Sequence, residues 1–261
     1  MMREMMFSET IEMSYDDFHK EFRGYFKRSE PRKAVADYMR GLLSTTKRKN
    51  SWQLSETMGT KDPQGFQRLL YEAKWEHEPV LKHLQRLVTA KIGQPMGIGV
   101  IDETGYPKKG DKSAGVKRQY CGRLGKIENC QVGVGLAYVT DLGRALIDQC
   151  LYIPQDWCED RERCDEARIP ADRRFQTKPQ MAERMLMDAW QNGIPIQWVC
   201  ADTVYGNSST LREAIAAMGR YYVMGITANQ RVQRLDVSQP KKVAQAIAPL
   251  SDHDWQQLGM A

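Results

Sequence analysis

The chain has 261 residues, enough for one large domain or two modest ones, and its 41% hydrophobic content excludes wholesale disorder. Its 38 Lys and Arg against 33 Asp and Glu leave a net charge of +5 and a pI near 8.8, too mild an excess to identify a partner by its total. No stretch approaches the roughly 20 apolar residues of a membrane span, so no membrane partner and a cytoplasmic location are expected.

The N-terminal stretch "MMREMMFSETIEMSYDDF" breaks its apolar residues with acids. From Lys20 to Lys49 ten Lys or Arg face three acids, a local excess suited to phosphates or simply to a solvated helix face. Within that run "PRKAVADYMRGLLS" predicts a helix with Val35, Tyr38, Met39 and Leu42 inward, opened by a first-turn proline. "NSWQLSETMG" predicts a second helix with Trp52, Leu54 and Met58 apolar, stopping at Gly59. "KDPQGFQRLLYEAKW" predicts a third, with Asp62 as N-cap, Pro63 in the first turn, and Phe66, Leu69, Leu70 and Ala73 on one face.

Two short helices joined through a glycine turn resemble a helix-turn-helix, whose second helix enters the major groove. Gln64, Gln67, Arg68 and Tyr71 fall away from the apolar face of that helix, and Gln and Arg make bidentate contacts to base edges. Two ordinary helices with a wet side are the alternative. Lys47, Arg48 and Lys49, just upstream, are candidate phosphate contacts. A further helix, "EPVLKHLQRLVTAKIG", ends near Gly93, and "GQPMG" reads as a linker, dividing the chain into a helical region 1–95 and a second region 96–261.

After Gly97 the pattern turns to strands. "GIGVID" is a short apolar run, and "NCQVGVGLAYVT" and "RALIDQCLYIP" flank the turn Asp141, Leu142, Gly143 as a hairpin. "QDWCEDRERCDEARIPADRRF" is too charged for a strand or a core. "KPQMAERMLMDAWQNG" predicts an amphipathic helix with Met181, Met185, Leu186 and Ala189 inward and Gly193 at its end. "IQWVCAD" is a strand ending at Asp202, "STLREAIAAMG" a helix with Thr210 and Glu213 spaced as a capping box, and "RYYVMGIT" a fifth strand. The six cysteines form no C-x-x-C pair and the four histidines lie away from them, so reduced structural thiols are a better reading than a zinc centre.

An antiparallel start followed by alternating helices and strands implies a mixed sheet of the RNase H-like α/β class, with the first and fourth strands adjacent. That order brings Asp102 and Asp202 together across 100 residues, and two carboxylates on neighbouring strand ends suit Mg2+ or Mn2+. For Asp202 a cap on the following turn is the alternative reading, and Glu103, on the opposite face of its strand, reads as supporting structure. Lys108, Lys109, Lys112, Lys117, Arg118, Arg123 and Lys126 follow Asp102 with one acid among them, Asp111, and this basic loop is suited to DNA phosphates.

The segments "RGLLSTTKRKNSWQLSE", "GFQRLLYEAKW", "IDETGYPKKGDKSAGVKRQYCGRLGKIENCQVGVGLAYV", "DWCEDRERCDEARIP" and "ADTVYGNSSTLREAI" together resemble IS701-type transposases of bacterial insertion sequences, in the IS4-related group with a DDE core. The resemblance runs from about Ser29 to Trp255. It implies an N-terminal DNA-binding region and a Mg2+-dependent core that cuts and joins DNA. Asp102 in "DETG" becomes the first acid and Asp202 in "ADTVYG" the second. It further implies transposon ends and target DNA as partners, a homo-oligomer on DNA as an option, and a bacterial, nucleoid-associated location.

The family's third acid lies in a Tyr-x2-Arg-x3-Glu pattern that does not occur after Ile226. The expectation is therefore a C-terminally truncated member with incomplete catalytic machinery. A non-catalytic DNA-binding remnant that occupies or inhibits transposon ends is the alternative, and a simpler RNase H-like nuclease is a third reading.

Overall fold

The structure, a computed structural model, describes residues 14–60, 62–233 and 239–254; residues 1–13 of the N-terminal stretch read above and Trp255 lie outside them. The chain divides into two compact units, Met1–Leu84 and Gln85–Ala261. Among the described residues no helix is long and apolar enough to cross a membrane.

The first unit is helical: α1 (14–22), α2 (Ser29–Leu43), α3 (Ser51–Thr57), α4 (Gln64–Tyr71) and the beginning of α5 (His77–Ile92). Leu54 of α3 is fully buried, and it reaches α2 at Gly41, where a Cβ would stand 3.1 Å from Leu54 Cδ2. Phe66 and Leu69 of α4 are also buried, with the Tyr38 ring meeting Phe66 edge-on at 5.4 Å. Asn50 caps α3 by accepting from Gln53 N at 3.0 Å, and Asp62 accepts from Gln64 N at 2.8 Å, one residue outside Pro63. Gly59, at φ 73°, makes the left-handed turn between α3 and α4 that a side chain would resist.

The inward stripe is narrower than the sequence predicts. Leu42, Trp52 and Leu70 are exposed, and Ala73 lies beyond the end of α4. Helices of seven and eight residues present about two turns, and a residue adjacent to a buried one is rotated by about 100° off the stripe.

The second unit is built on β1 (Gly97–Pro107), β2 (Lys117–Cys121), β3 (Lys126–Thr140), β4 (Gly143–Tyr152), β5 (Ile196–Ala201) and β6 (Tyr221–Met224), which form a single sheet. Its order is β2-β3-β1-β5-β6, with β4 also paired to β3. β1 is antiparallel to β3 and parallel to β5, and β5 is parallel to β6. This is the RNase H-like mixed sheet that the element order implies.

Between the strands lie α6 (Gln155–Glu159), α7 (Arg161–Glu166), α8 (Lys178–Gln191), α9 (Thr203–Gly206) and α10 (Ser209–Ala217). A two-stranded ribbon of β7 (Arg231–Val232) and β8 (Lys241–Lys242), then α11 (Val243–Ile247), follow. α8 lies against β3 and β4 and buries Met181, Met185, Leu186 and Ala189. A Thr177–Gln180 capping box starts it, and Gly193 at φ 81° ends it. The end of α5 belongs to this unit: Gln85 donates to Ile147 O at 3.1 Å and accepts from Asn192 at 2.8 Å.

Three expectations need correction. The charged stretch after β4 does enter a core: Trp157, Cys164 and Ile169 are buried with Val116 and Ile153. Few apolar residues suffice because two short helices aim them inward while Arg163 stacks 3.7 Å over the Trp157 ring and Trp157 Nε1 donates to Val116 O at 2.8 Å. The α10 cap is Ser208, which accepts from Leu211 N at 3.3 Å, so Thr210 and Glu213 form no capping box. β1 runs on to Pro107, and the basic loop contains β2.

Candidate active site

The parallel register pairs Ile98 with Trp198, Val100 with Cys200 and Ile101 with Ala201. Asp102, the next residue along β1, and Asp202, the first residue beyond β5, therefore each follow the last paired positions of strands spaced about 4.8 Å apart. Both are exposed. One carboxylate oxygen of each is occupied by backbone: Asp102 Oδ1 accepts from Glu103 N at 2.7 Å, and Asp202 Oδ1 accepts from Val204 N at 2.9 Å. Asp202 is the N-cap of α9, so the alternative reading of it as a cap holds without moving it away from Asp102. Opposite Asp102 on β3 stands Gly135, and Leu146 of β4 fills the space where a Gly135 side chain would be, its Cδ1 3.2 Å from that Cβ position.

Glu103 faces the other way. Its Oε1 takes an ion pair from Lys178 at 2.7 Å, and its Oε2 accepts the Tyr205 hydroxyl at 2.9 Å. Tyr205 is fully buried, and burial, reinforced by Glu103 and then by the Asp102 and Asp202 charges, pushes its phenol far above the usual range. It stays a neutral donor at any working pH. β1, the N-terminus of α8 and the turn carrying Asp202 are thus tied together through one carboxylate.

Tight backbone packing fixes that turn from the other side. A Cβ on Gly206 would collide with Gly225 O and lie 2.9 Å from Met224 Cβ. Gly225 N donates to Ala201 O at 3.0 Å, and the Arg212 guanidinium donates to Gly206 O. Tyr205, Lys178 and Gly206 escaped the sequence reading. "ADTVYG" held the only signal, an aromatic three residues after the acid on a one-turn helix, whereas Lys178 is 75 residues from Glu103.

The cations expected at DNA divide into two sets. Lys112 pairs with Glu166 at 2.7 Å, Lys117 with Asp156 at 2.9 Å and Lys126 with Glu128 at 3.3 Å. The Lys117 ammonium holds the Asp156 carboxyl below its usual range. Lys108, Lys109, Arg118 and Arg123 are exposed and make no ion pair among the described residues. In the helical unit, Gln64, Gln67, Arg68 and Tyr71 are exposed and line an open groove with Ser51, Leu70 and one acid, Glu72. Lys47 and Arg48 are exposed, but Lys49 turns back onto the end of α2, donating to Leu42 O at 2.7 Å and Ser44 O at 2.5 Å.

Two hard oxygen ligands on a rigid sheet fit an ion such as Mg2+, although no group of three or more metal-ligating side chains gathers among the described residues. Residues 21–247 match the family model described as DDE superfamily endonuclease. The chain is also 29% identical, over 197 residues, to the "Probable transposase for insertion sequence element IS701" of Microchaete diplosiphon. That match covers 75% of this chain and 49% of the relative, so the chain spans about half the length of the curated protein it resembles.

Proposed function

This chain belongs to the DDE superfamily endonuclease family, and on that premise we propose that it is an insertion-sequence transposase that cleaves and joins DNA with a divalent cation. The observation that supports the reading is the Ile101–Ala201 pairing, the last of the β1–β5 register and one residue before each aspartate. Their outward oxygens would hold Mg2+ or Mn2+, which would supply activation of the attacking oxygen and neutralisation of charge at phosphorus. Glu103, Tyr205 and Lys178 do not bind the ion; they hold the two backbones in place. With two carboxylates alone the ion is held weakly, and strand transfer by these residues unaided is not expected.

The helical region 1–95 supplies sequence recognition, with Gln64, Gln67 and Arg68 at base edges and Lys47 and Arg48 at phosphates. Lys108, Lys109, Arg118 and Arg123 receive DNA phosphates beside the core, region 96–261. An exposed ion pair contributes only about 0–1 kcal/mol, so phosphates also compete for Lys112, Lys117 and Lys126. Transposon ends and target are the DNA partners, and a homo-oligomer assembles on them.

Mn2+ titration tests the metal pair. Asp102→Asn and Asp202→Asn should each weaken binding by at least about tenfold, the loss seen when a residue merely supporting a ligand is removed. Unchanged affinity in both variants overturns the pairing. DNA binding by the parent chain without any Mn2+-dependent nicking would move the reading to the non-catalytic end-binder.

A second measurement separates the three adjacent cations. Replacing both Lys47 and Arg48 by Ala should lower the slope of log affinity against log salt by about 2, one counterion per phosphate contact. Lys49→Ala should instead lower thermal stability by about 0.5–1 kcal/mol, because its ammonium satisfies the last carbonyls of α2. An equal change of slope from Lys49→Ala would return it to the phosphate set.

A further inference from the structure

We propose that one face of the β2–β3 hairpin docks unpaired DNA bases, so that the core recognises frayed or single-stranded ends as well as phosphates. The inference rests on the DNA reading above and goes beyond it. In the hairpin register Tyr120 stands opposite Ile127 and Arg118 opposite Asn129, so these four side chains share a face. Tyr120 and Ile127 are each 62% exposed, and Leu124, at the tip beside Arg123 and the left-handed Gly125, is also exposed.

The other face of the hairpin is already committed. It buries Cys121 and Cys130 with Val132, and it carries Lys117 and Lys126, which pair with Asp156 and Glu128. The cations are thus sorted. Those with acidic partners lie away from the apolar pair, whereas Arg118 shares its face and makes no ion pair among the described residues. On that side Asn129 ties the preceding loop to the hairpin, donating to Lys108 O at 3.0 Å and Gly110 O at 2.8 Å.

A cross-strand aromatic and β-branched pair would stabilise a hairpin by itself, but that role leaves their outer surfaces in water. An exposed aromatic side chain beside Arg118, which makes no ion pair among the described residues, has the chemistry of a stacking platform for bases on a phosphate track. A protein partner would match the apolar pair but leave the cations without counter-charge.

The test compares two fluorescent duplexes of equal length and charge, one blunt and one with three unpaired terminal nucleotides, binding to the whole chain. The parent should prefer the unpaired end. Tyr120→Ala should erase that preference by lowering affinity for the unpaired end about 5- to 150-fold, the range for one lost base stack, while Tyr120→Phe keeps it. Arg118→Gln with Arg123→Gln should weaken both duplexes alike. Continued protection of Cys121 and Cys130 from a thiol reagent verifies that the variants fold. Equal binding of the two duplexes by the parent, or equal loss of both in Tyr120→Ala, overturns the inference while leaving the DNA reading intact. Binding to neither overturns both. Self-association lost in Tyr120→Ala would reassign the face to a second copy of the chain and overturn it too.

Discussion

Glu103→Ala is expected to cost the sheet unit about 3–5 kcal/mol, the usual consequence of removing one partner from a mostly buried ion pair. The Glu103 and Lys178 side chains are only 18% and 22% exposed, and the Tyr205 hydroxyl spends its proton on the same carboxylate. Truncation therefore removes the carboxylate partner of an ammonium and of a buried phenol in one step. Glu103→Gln should cost less, since its amide oxygen can still accept from Tyr205 or Lys178, though not carry the charge. Urea denaturation measures the difference. In a unit of this size each kcal/mol corresponds to about 2–4 °C in melting temperature, so a heating curve should register it as well. A loss below about 1 kcal/mol for Glu103→Ala would mean that the network is solvated and does not brace the aspartates.

That network shows where sequence reasoning reaches its limit. The strand order was legible because apolar runs, turn glycines and the α8 periodicity are local signals, and Asp102 and Asp202 followed from the order since each sits at the end of an apolar run. Period-two alternation also assigned Glu103 to the face opposite Asp102. Its partners were not legible, because Lys178 and Tyr205 reach it from other elements and nothing local marks either as a donor.

Leu70, exposed where an inward residue was expected, and the buried Trp157 share a cause. Burial of single residues on helices of five to eight residues depends on the neighbouring element, and a moment over so short a window is set by one or two side chains. The same limit explains Lys49, whose place in a basic run suggested phosphate and whose actual contacts are three carbonyls at the end of α2. Charge density along the sequence counts cations without revealing which are already used.

Gly206→Ala should disturb the placement of Asp202 beside Asp102 without touching any charged group. The added methyl would meet Gly225 O and Met224 Cβ, neither of which can rotate away, so either α9 or the end of β6 must shift. Overpacking of this kind costs about 1–3 kcal/mol. The shift cannot stay local, because Gly206 N donates to Asp202 O at 2.9 Å and Gly225 N donates to Ala201 O at 3.0 Å, binding both sides of the collision to the residues that aim Asp202. Gly193→Ala makes the control. Its φ of 81° strains any side chain by about 1 kcal/mol, yet nothing lies within 4 Å of the new Cβ and the residue merely ends α8. Both variants should lower unfolding free energy, but only Gly206→Ala should also weaken Mn2+ binding and expose the Val204 amide, which Asp202 Oδ1 accepts from, to faster hydrogen exchange. If Gly206→Ala loses stability while keeping parental Mn2+ affinity and Val204 protection, then strand pairing alone orients Asp202 and the close packing of α9 on β6 serves only the fold.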